Sequence, residues 1–451
     1  MTSPASRRAR SLRAPGRRTP GNHAPGNRAL GLGAAVVAAG LLLAGCGPAA
    51  PAAAPGATTA GAPSPKATPP APSATPAPTP APTPSTSSPE DTAATDDQLL
   101  LVAQANSDTI ALVDPREHTG TADTSAALDE ITVGAAPWDV AVHTDTGRAF
   151  VSTAQGVAVV DLATRERTDL IGYEHRPARV AYGEYRPGGL GLAVSPDGDT
   201  VYVAVSTGEE AFLEQIDVAD GDVVRSVPVG RRPFDVLVSD DGREVYTIDH
   251  DGFTVTVVDA RSFDTHTIEV APFGTEGGLA SFEKPHYAVL DPDGDLLLPY
   301  QGRALARVDP VTGEVTTTGL AADTHQHGVA RADDGTLVIA GNGPFGNADS
   351  GASIEVVSPA GGSTVLPTER RHETVTVWQH DGAAFGVLAG GYTQDGAWDG
   401  LTVLPLAAAL DGADESYEIR VPGRPQAVVP VTLPEPETAV PTETTPAEGN
   451  P

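Results

Sequence analysis

Between residues 98 and 433 the chain consists of short apolar runs separated by turns rich in Asp and Gly, and no stretch keeps a helical period. Pro137-Trp138-Asp139-Val140-Ala141-Val142 is followed by Thr144-Asp145-Thr146-Gly147. Pro233-Phe234-Asp235-Val236-Leu237-Val238 leads into Asp240-Asp241-Gly242, and Pro285-His286-Tyr287-Ala288-Val289-Leu290 into Pro292-Asp293-Gly294-Asp295. Asp-Gly between alternating apolar runs is a strong hairpin signal, because the turn needs a residue that tolerates positive φ. Each segment therefore predicts two antiparallel strands, and a further strand closing on Val-Asp or its equivalent follows at residues 157–161, 255–259 and 306–309.

Weaker copies fill the intervals. Gly189-Leu190-Gly191-Leu192 leads to Ser195-Pro196-Asp197-Gly198, Gln326-His327-Gly328-Val329 to Asp333-Asp334-Gly335, and Arg371-His372-Glu373-Thr374-Val375 to His380-Asp381-Gly382. The anchors Val140, Leu192, Val236, Ala288, Val329 and Val375 recur every 41 to 52 residues. That period, with three or four strands per copy, predicts an all-β fold of propeller blades. One more opening, Pro425-Gln426-Ala427-Val428, has almost nothing after it, while residues 99–102 and 109–114 read as the second and third strands of a blade that lacks its first. Joining the two gives seven blades, with the last strand closing the ring against the first. The copy at residues 230–259 resembles the YVTN-repeat family of seven-bladed propellers most closely, and the resemblance covers residues 98–433.

The ends have different compositions. Residues 1–46 carry seven arginines and no acid, followed by an apolar run over residues 30–43 that is too short to span a bilayer. Residues 1–45 are read as a signal peptide, because Leu43-Ala44-Gly45-Cys46 resembles a bacterial lipobox. That resemblance implies cleavage before Cys46, a palmitoylated, diacylglyceryl-modified cysteine and a lipid-anchored protein on the outer face of the cell membrane. Arg7-Arg8 leaves the export route open between the general and twin-arginine systems. Cys46 is the only cysteine, so no disulfide can form within the chain. Residues 46–97 are mostly Pro, Ala, Thr and Ser and read as an extended, disordered stalk with a reach of up to about 150 Å. Residues 434–451 read as a disordered acidic tail.

Charge narrows the partners. The 28 basic residues less the seven leader arginines leave 21 against 59 acids, a net of −38. Such a surface repels nucleic acid and anionic lipid and favours cations or basic partners.

Candidate chemistry enters at the second position of the repeated opening. It holds Trp138, Leu190, Phe234, His286, His327, His372 and Gln426 in turn. Three successive histidines would form an arc at one mouth of the channel, and three imidazoles with one open position make a zinc site. His325 and the third-position acids Asp139, Asp235 and Glu373 supply further ligands or partners that orient the rings. Trp138 and Phe234 hold the same position elsewhere, so histidine as a flat packing ring stands as the other reading.

Lys284-Pro285-His286, His325-Gln326-His327-Gly328-Val329-Ala330 and His372-Glu373 also resemble, in the same order, motifs of periplasmic propeller metallochaperones that hand zinc to ABC importers. The resemblance implies zinc bound at the mouth and passed to an importer. The chain lacks that family's His/Asp-rich loop and the Cys-Pro before the last histidine.

The segment 291–295 looks like a calcium loop but lacks the distal glutamate and fits a hairpin turn. Arg179, Glu184 and Arg186 sit in a long insertion between blades and are the candidates for a lactonase-like site. No Ser-His-Asp order, phosphate loop or haem motif is present. The sequence thus points to a binding module and not an enzyme, with a metal-free protein-interaction scaffold as the alternative and a lactonase as the second alternative.

Overall fold

The computed structural model describes residues 98–117, 127–270, 284–300, 304–322, 326–341, 351–391 and 398–434. The expectations about the leader, Cys46, the stalk, His325 and all but the first residue of the tail lie outside them.

The described strands, β1 to β28 in chain order, form seven four-stranded antiparallel sheets arranged as a ring. Blade 1 runs from β4 (Val140–His143) to β7 (Glu166–Gly172), and blade 2 from β8 (Gly188–Val194) to β11 (Asp222–Val229). Blade 3 runs from β12 (Pro233–Val238) to β15 (Thr265–Glu269), and blade 4 from β16 (Val289–Leu290) to β19 (Val315–Gly319). Blade 5 spans β20 (Gln326–Arg331) to β23 (Ser363–Pro367), and blade 6 spans β24 (Thr374–His380) to β27 (Tyr417–Arg420). Blade 7 joins β28 (Pro425–Val431) to β1 (Leu99–Gln104), β2 (Thr109–Val113) and β3 (Ala127–Thr132). Leu99 pairs with Val431 and Leu101 with Val429, so the two ends of the ring share one blade, as the sequence predicts.

Burial falls from the centre of each blade to its rim. The third strand of blade 3, β14 (Thr254–Asp259), is covered along most of its length, whereas β15 beside it buries only Ile268. A strand covered on both faces by neighbouring blades reads as a nearly unbroken apolar run, and an outer strand exposed to water does not. Each blade interface has its own apolar wedge. Phe150, Tyr173 and Val203 pack between blades 1 and 2, and Tyr246, Ile248 and Leu298 between blades 3 and 4. Leu101, Val151 and Val431 fill the interface of blades 7 and 1.

Turn chemistry follows the Asp-Gly signals, with Gly242 at φ +68° closing its hairpin by a 2.8 Å bond to the Ser239 carbonyl. In the 291–295 turn Arg307 binds Asp291 at 2.5 Å, Asp295 at 2.6 Å and Asp293 at 3.3 Å. One guanidinium thus engages all three carboxylates that the calcium reading would have needed as ligands.

Blade 3 also buries an ionisable group with no role at the mouth. Asp249 accepts hydrogen bonds from Thr247 at 2.7 Å, Thr254 at 3.0 Å and Thr256 at 2.7 Å. Burial pushes its carboxyl up to about 7 from 3.8, against the pull of these hydroxyls. A carboxyl raised on folding destabilises the fold progressively as pH rises from about 4 to about 7, because the unfolded chain ionises first. Asp249→Asn is expected to stabilise the protein by on the order of 2–4 kcal/mol at pH 8 and to lose that advantage at pH 4. Urea unfolding of both proteins at the two pH values checks it, and a difference independent of pH would refute it.

Candidate metal centre at the channel mouth

The inner strands meet closely. A Cβ on Gly191 would lie 2.5 Å from the Asp235 backbone, and one on Gly328 would lie 2.7 Å from Thr374 Cα. Side chains at the third position of the opening therefore reach across blade boundaries. Asp139 accepts from the Leu192 N–H at 3.0 Å, and Asp235 from the Ala288 N–H at 2.9 Å, each tying its blade to the next. Burial and the charge of Asp235 push Asp139 up to about 7, and burial pushes Asp235 up to about 6.

Glu373, one methylene longer, reaches other side chains instead. Its Oε2 lies 3.0 Å from His327 Nδ1, its Oε1 lies 4.0 Å from His286 Nδ1, and the Tyr287 hydroxyl donates to Oε1 at 3.1 Å. The His286 and His327 rings are 4.0 Å apart between centroids, and both residues and Glu373 are fully buried. Among the described residues, His286, His327 and Glu373 form a group whose ligand atoms all lie within 4.8 Å of one another.

His372 does not join that group. Its Nε2 is hydrogen-bonded to Thr402 Oγ1 at 2.8 Å and its ring stands edge-on to Trp398. Here it is Glu373, not His372, that turns toward blades 4 and 5. Asp139 and Asp235 are likewise outside the group, because their oxygens are engaged by backbone amides of adjacent blades.

Sequence reasoning missed His250. It lies at the end of the second strand of blade 3, which the antiparallel hairpin returns to the same mouth where the first strand opens. Its ring packs 4.3 Å from His286 and 4.9 Å from Phe234. Its Nδ1 is 3.0 Å from Asp251, which also binds Arg232 at 2.6 Å and Lys284 at 2.9 Å. The available signal was positional: Asp249-His250-Asp251-Gly252 is the turn facing the opening of its own blade.

Electrostatics favour ligation over charge. Burial, with the neighbouring His327 and His250, drives His286 well below its ordinary value of 6.5, and burial takes His250 down to about 4. Of the grouped histidines, His286 is therefore neutral at pH 7 and need lose no proton to bind a metal. Burial opposes ionisation of Glu373, but His327 and His286 outweigh it and hold the carboxyl below the usual range. A cavity of about 540 Å³ in the structure is lined by Asp139, Asp235, Tyr287 and Gln379 and by none of the histidines. The cluster is a packed polar site beside that space.

Of the insertion residues, Glu184 and Arg186 are buried, whereas Arg179 is exposed. Arg186 lies over the Trp138 ring and donates to the Gly189 carbonyl at 2.6 Å. Burial and the charge of Glu373 push Glu184 up to about 8.

No family profile matches the chain, and no curated protein matches it. Solved structures do. Hydrazine synthase of Kuenenia stuttgartiensis aligns over 65% of this chain and 95% of that one, at 15% identity and a TM-score of 0.50. The periplasmic gluconolactonase PpgL of Pseudomonas aeruginosa aligns over 75% of this chain and 99% of that one, at 16% identity and a TM-score of 0.52. The likeness is one of fold. A fold shared with 1210 solved chains does not choose a function, so the site must carry it.

Proposed function

We propose that this protein is a lipid-anchored, extracytoplasmic β-propeller that binds one divalent cation of the zinc class through His286, His327 and Glu373. The reading rests on one observation, the buried convergence of two imidazoles and a carboxylate within 4.8 Å. Zinc held at about 2.0–2.1 Å by N and O donors places them about 3.3 Å apart in a tetrahedron. His327 Nδ1 lies 3.0 Å from one Glu373 oxygen and His286 Nδ1 4.0 Å from the other, within a small adjustment of that spacing. Two imidazoles and one carboxylate are a donor set that zinc takes with one position left for another ligand. The acidic surface raises the local concentration of cations. An importer in the same membrane is the proposed recipient, the stalk giving the propeller the reach to meet it.

Chelator-stripped protein titrated with zinc tests the reading. One equivalent is expected to bind, with affinity falling only in acid well below pH 6.5, because burial lets His286 resist protonation to a pH far under its ordinary value. Absence of stoichiometric binding would leave the metal-free interaction scaffold. A second reading, metal-assisted opening of a lactone, is favoured by Glu184, whose raised carboxyl is an acid at neutral pH. Zinc-dependent turnover of gluconolactone by the loaded protein would favour it.

A further inference from the structure

Residues 173–187, the insertion between β7 and β8, run across the channel mouth and are held at several points. At the start, the Tyr173 hydroxyl donates to the Thr153 carbonyl at 2.8 Å, and the amides of Glu174 and His175 donate to Glu214 at 3.0 and 2.7 Å. At the far end Arg186 is buried against Trp138. Between these ends Tyr182 reaches blade 7, its hydroxyl donating to Asp108 at 2.9 Å, and Tyr185 lies under the Arg232 guanidinium of blade 3 at 4.3 Å. Val180, Tyr182 and Tyr185 are exposed, while Glu184 among them is only 9% exposed. The strap thus turns one carboxylate inward, next to Gly183 at φ +101° with open space around it.

The cluster beneath has an unmet requirement of charge. A divalent ion on two neutral imidazoles and one carboxylate retains one positive charge in a buried site, and burying uncompensated charge is costly. Four-coordinate zinc also needs a fourth donor. His250 would add a donor but no charge, and its Nδ1 is engaged by Asp251. His372 is hydrogen-bonded to Thr402, and Tyr287 already donates to Glu373. Glu184 stands outside the group of three, but it is buried next to Tyr185, whose ring lies 6.4 Å from that of His250, and His250 in turn packs 4.3 Å from His286.

We propose that residues 173–187 are the lid of the metal site and that Glu184 is its closing ligand, swinging in at Gly183 and releasing its proton to water as the carboxylate completes the coordination and neutralises the ion. The inference rests on the cation-binding reading above. Release of the ion then requires the strap to lift, so the contacts of Tyr182 and Tyr185 set the rate of exchange.

The test compares the full chain with Glu184→Gln, His250→Asn and Tyr182→Phe, using zinc competition against a chelator, stopped-flow dissociation and the visible spectrum of the cobalt(II)-loaded protein. Glu184→Gln is expected to weaken zinc about 100-fold and to change the cobalt spectrum, with circular dichroism of the metal-free protein unchanged. Tyr182→Phe is expected to speed dissociation while leaving the cobalt spectrum as it is. Wild-type affinity, dissociation rate and spectrum in Glu184→Gln would overturn the proposal, as would a spectral change in His250→Asn with none in Glu184→Gln. Failure of the wild-type protein to bind zinc at all would instead overturn the parent reading.

Discussion

Glu373→Gln is expected to weaken zinc binding about 1000-fold and to abolish zinc-dependent thermal stabilisation, whereas His372→Gln leaves stoichiometric binding in place. Glutamine keeps the volume of a fully buried side chain and can still accept from Tyr287, so the metal-free fold survives the change. It removes the one anionic donor of the cluster, and about 1000-fold corresponds to about 4 kcal/mol. Zinc at 1000 times its Kd would stabilise the wild-type fold by the same amount, a shift in Tm on the order of 5–10 °C for a ring of this size. His372 sits against Thr402 and Trp398, so its loss costs stability through one buried hydrogen bond, about 1 kcal/mol, without reaching the ion. Calorimetric titration and thermal melts of the three proteins, with and without zinc, decide the matter. Equal damage from both substitutions would return His372 to the ligand set.

The second large effect concerns closure. Removing β28 by truncation after Val421 is expected to abolish cooperative unfolding altogether. The strand buries Gln426, Ala427, Val428 and Val431 and covers the edge of β1, where Leu100, Leu101 and Val102 are buried. Two fully buried valines alone represent about 3–6 kcal/mol, comparable with the whole stability of an ordinary domain. A circular permutant separates loss of the strand from loss of its position. Val431 pairs with Leu99, so a short turn can join them and the chain can open instead between blades 6 and 7. This permutant makes blade 7 an ordinary meander and is expected to melt within a few degrees of the wild type. A permutant that fails to fold while the truncated chain melts cooperatively would show that closure by β28 is not what holds the ring.

The blades were legible because strand alternation and turn residues are local properties. Gly147, Gly198, Gly242, Gly294, Gly335 and Gly382, each read as a turn glycine, all take positive φ. The incomplete opening at residue 425 revealed closure for the same reason. The site was legible only in part. His286 and His327 could be placed at one mouth by the repeat, but the choice between His372 and Glu373 could not be made from alternation. In blade 6 the ladder begins at Thr374, so both residues precede the regular pairing that would dictate which side each faces. The same is true of His286, which lies before β16. His250 and Glu184 reach the mouth through a hairpin return and an insertion between blades. Their proximity depends on tertiary path, and no local pattern encodes it.

The position of β1 has a mechanical consequence. Gln98 enters the ring directly at this strand, which is hydrogen-bonded on one side to β28 and on the other to β2. A pull along the axis of β1 loads both ladders together in shear, so no single edge is unzipped bond by bond.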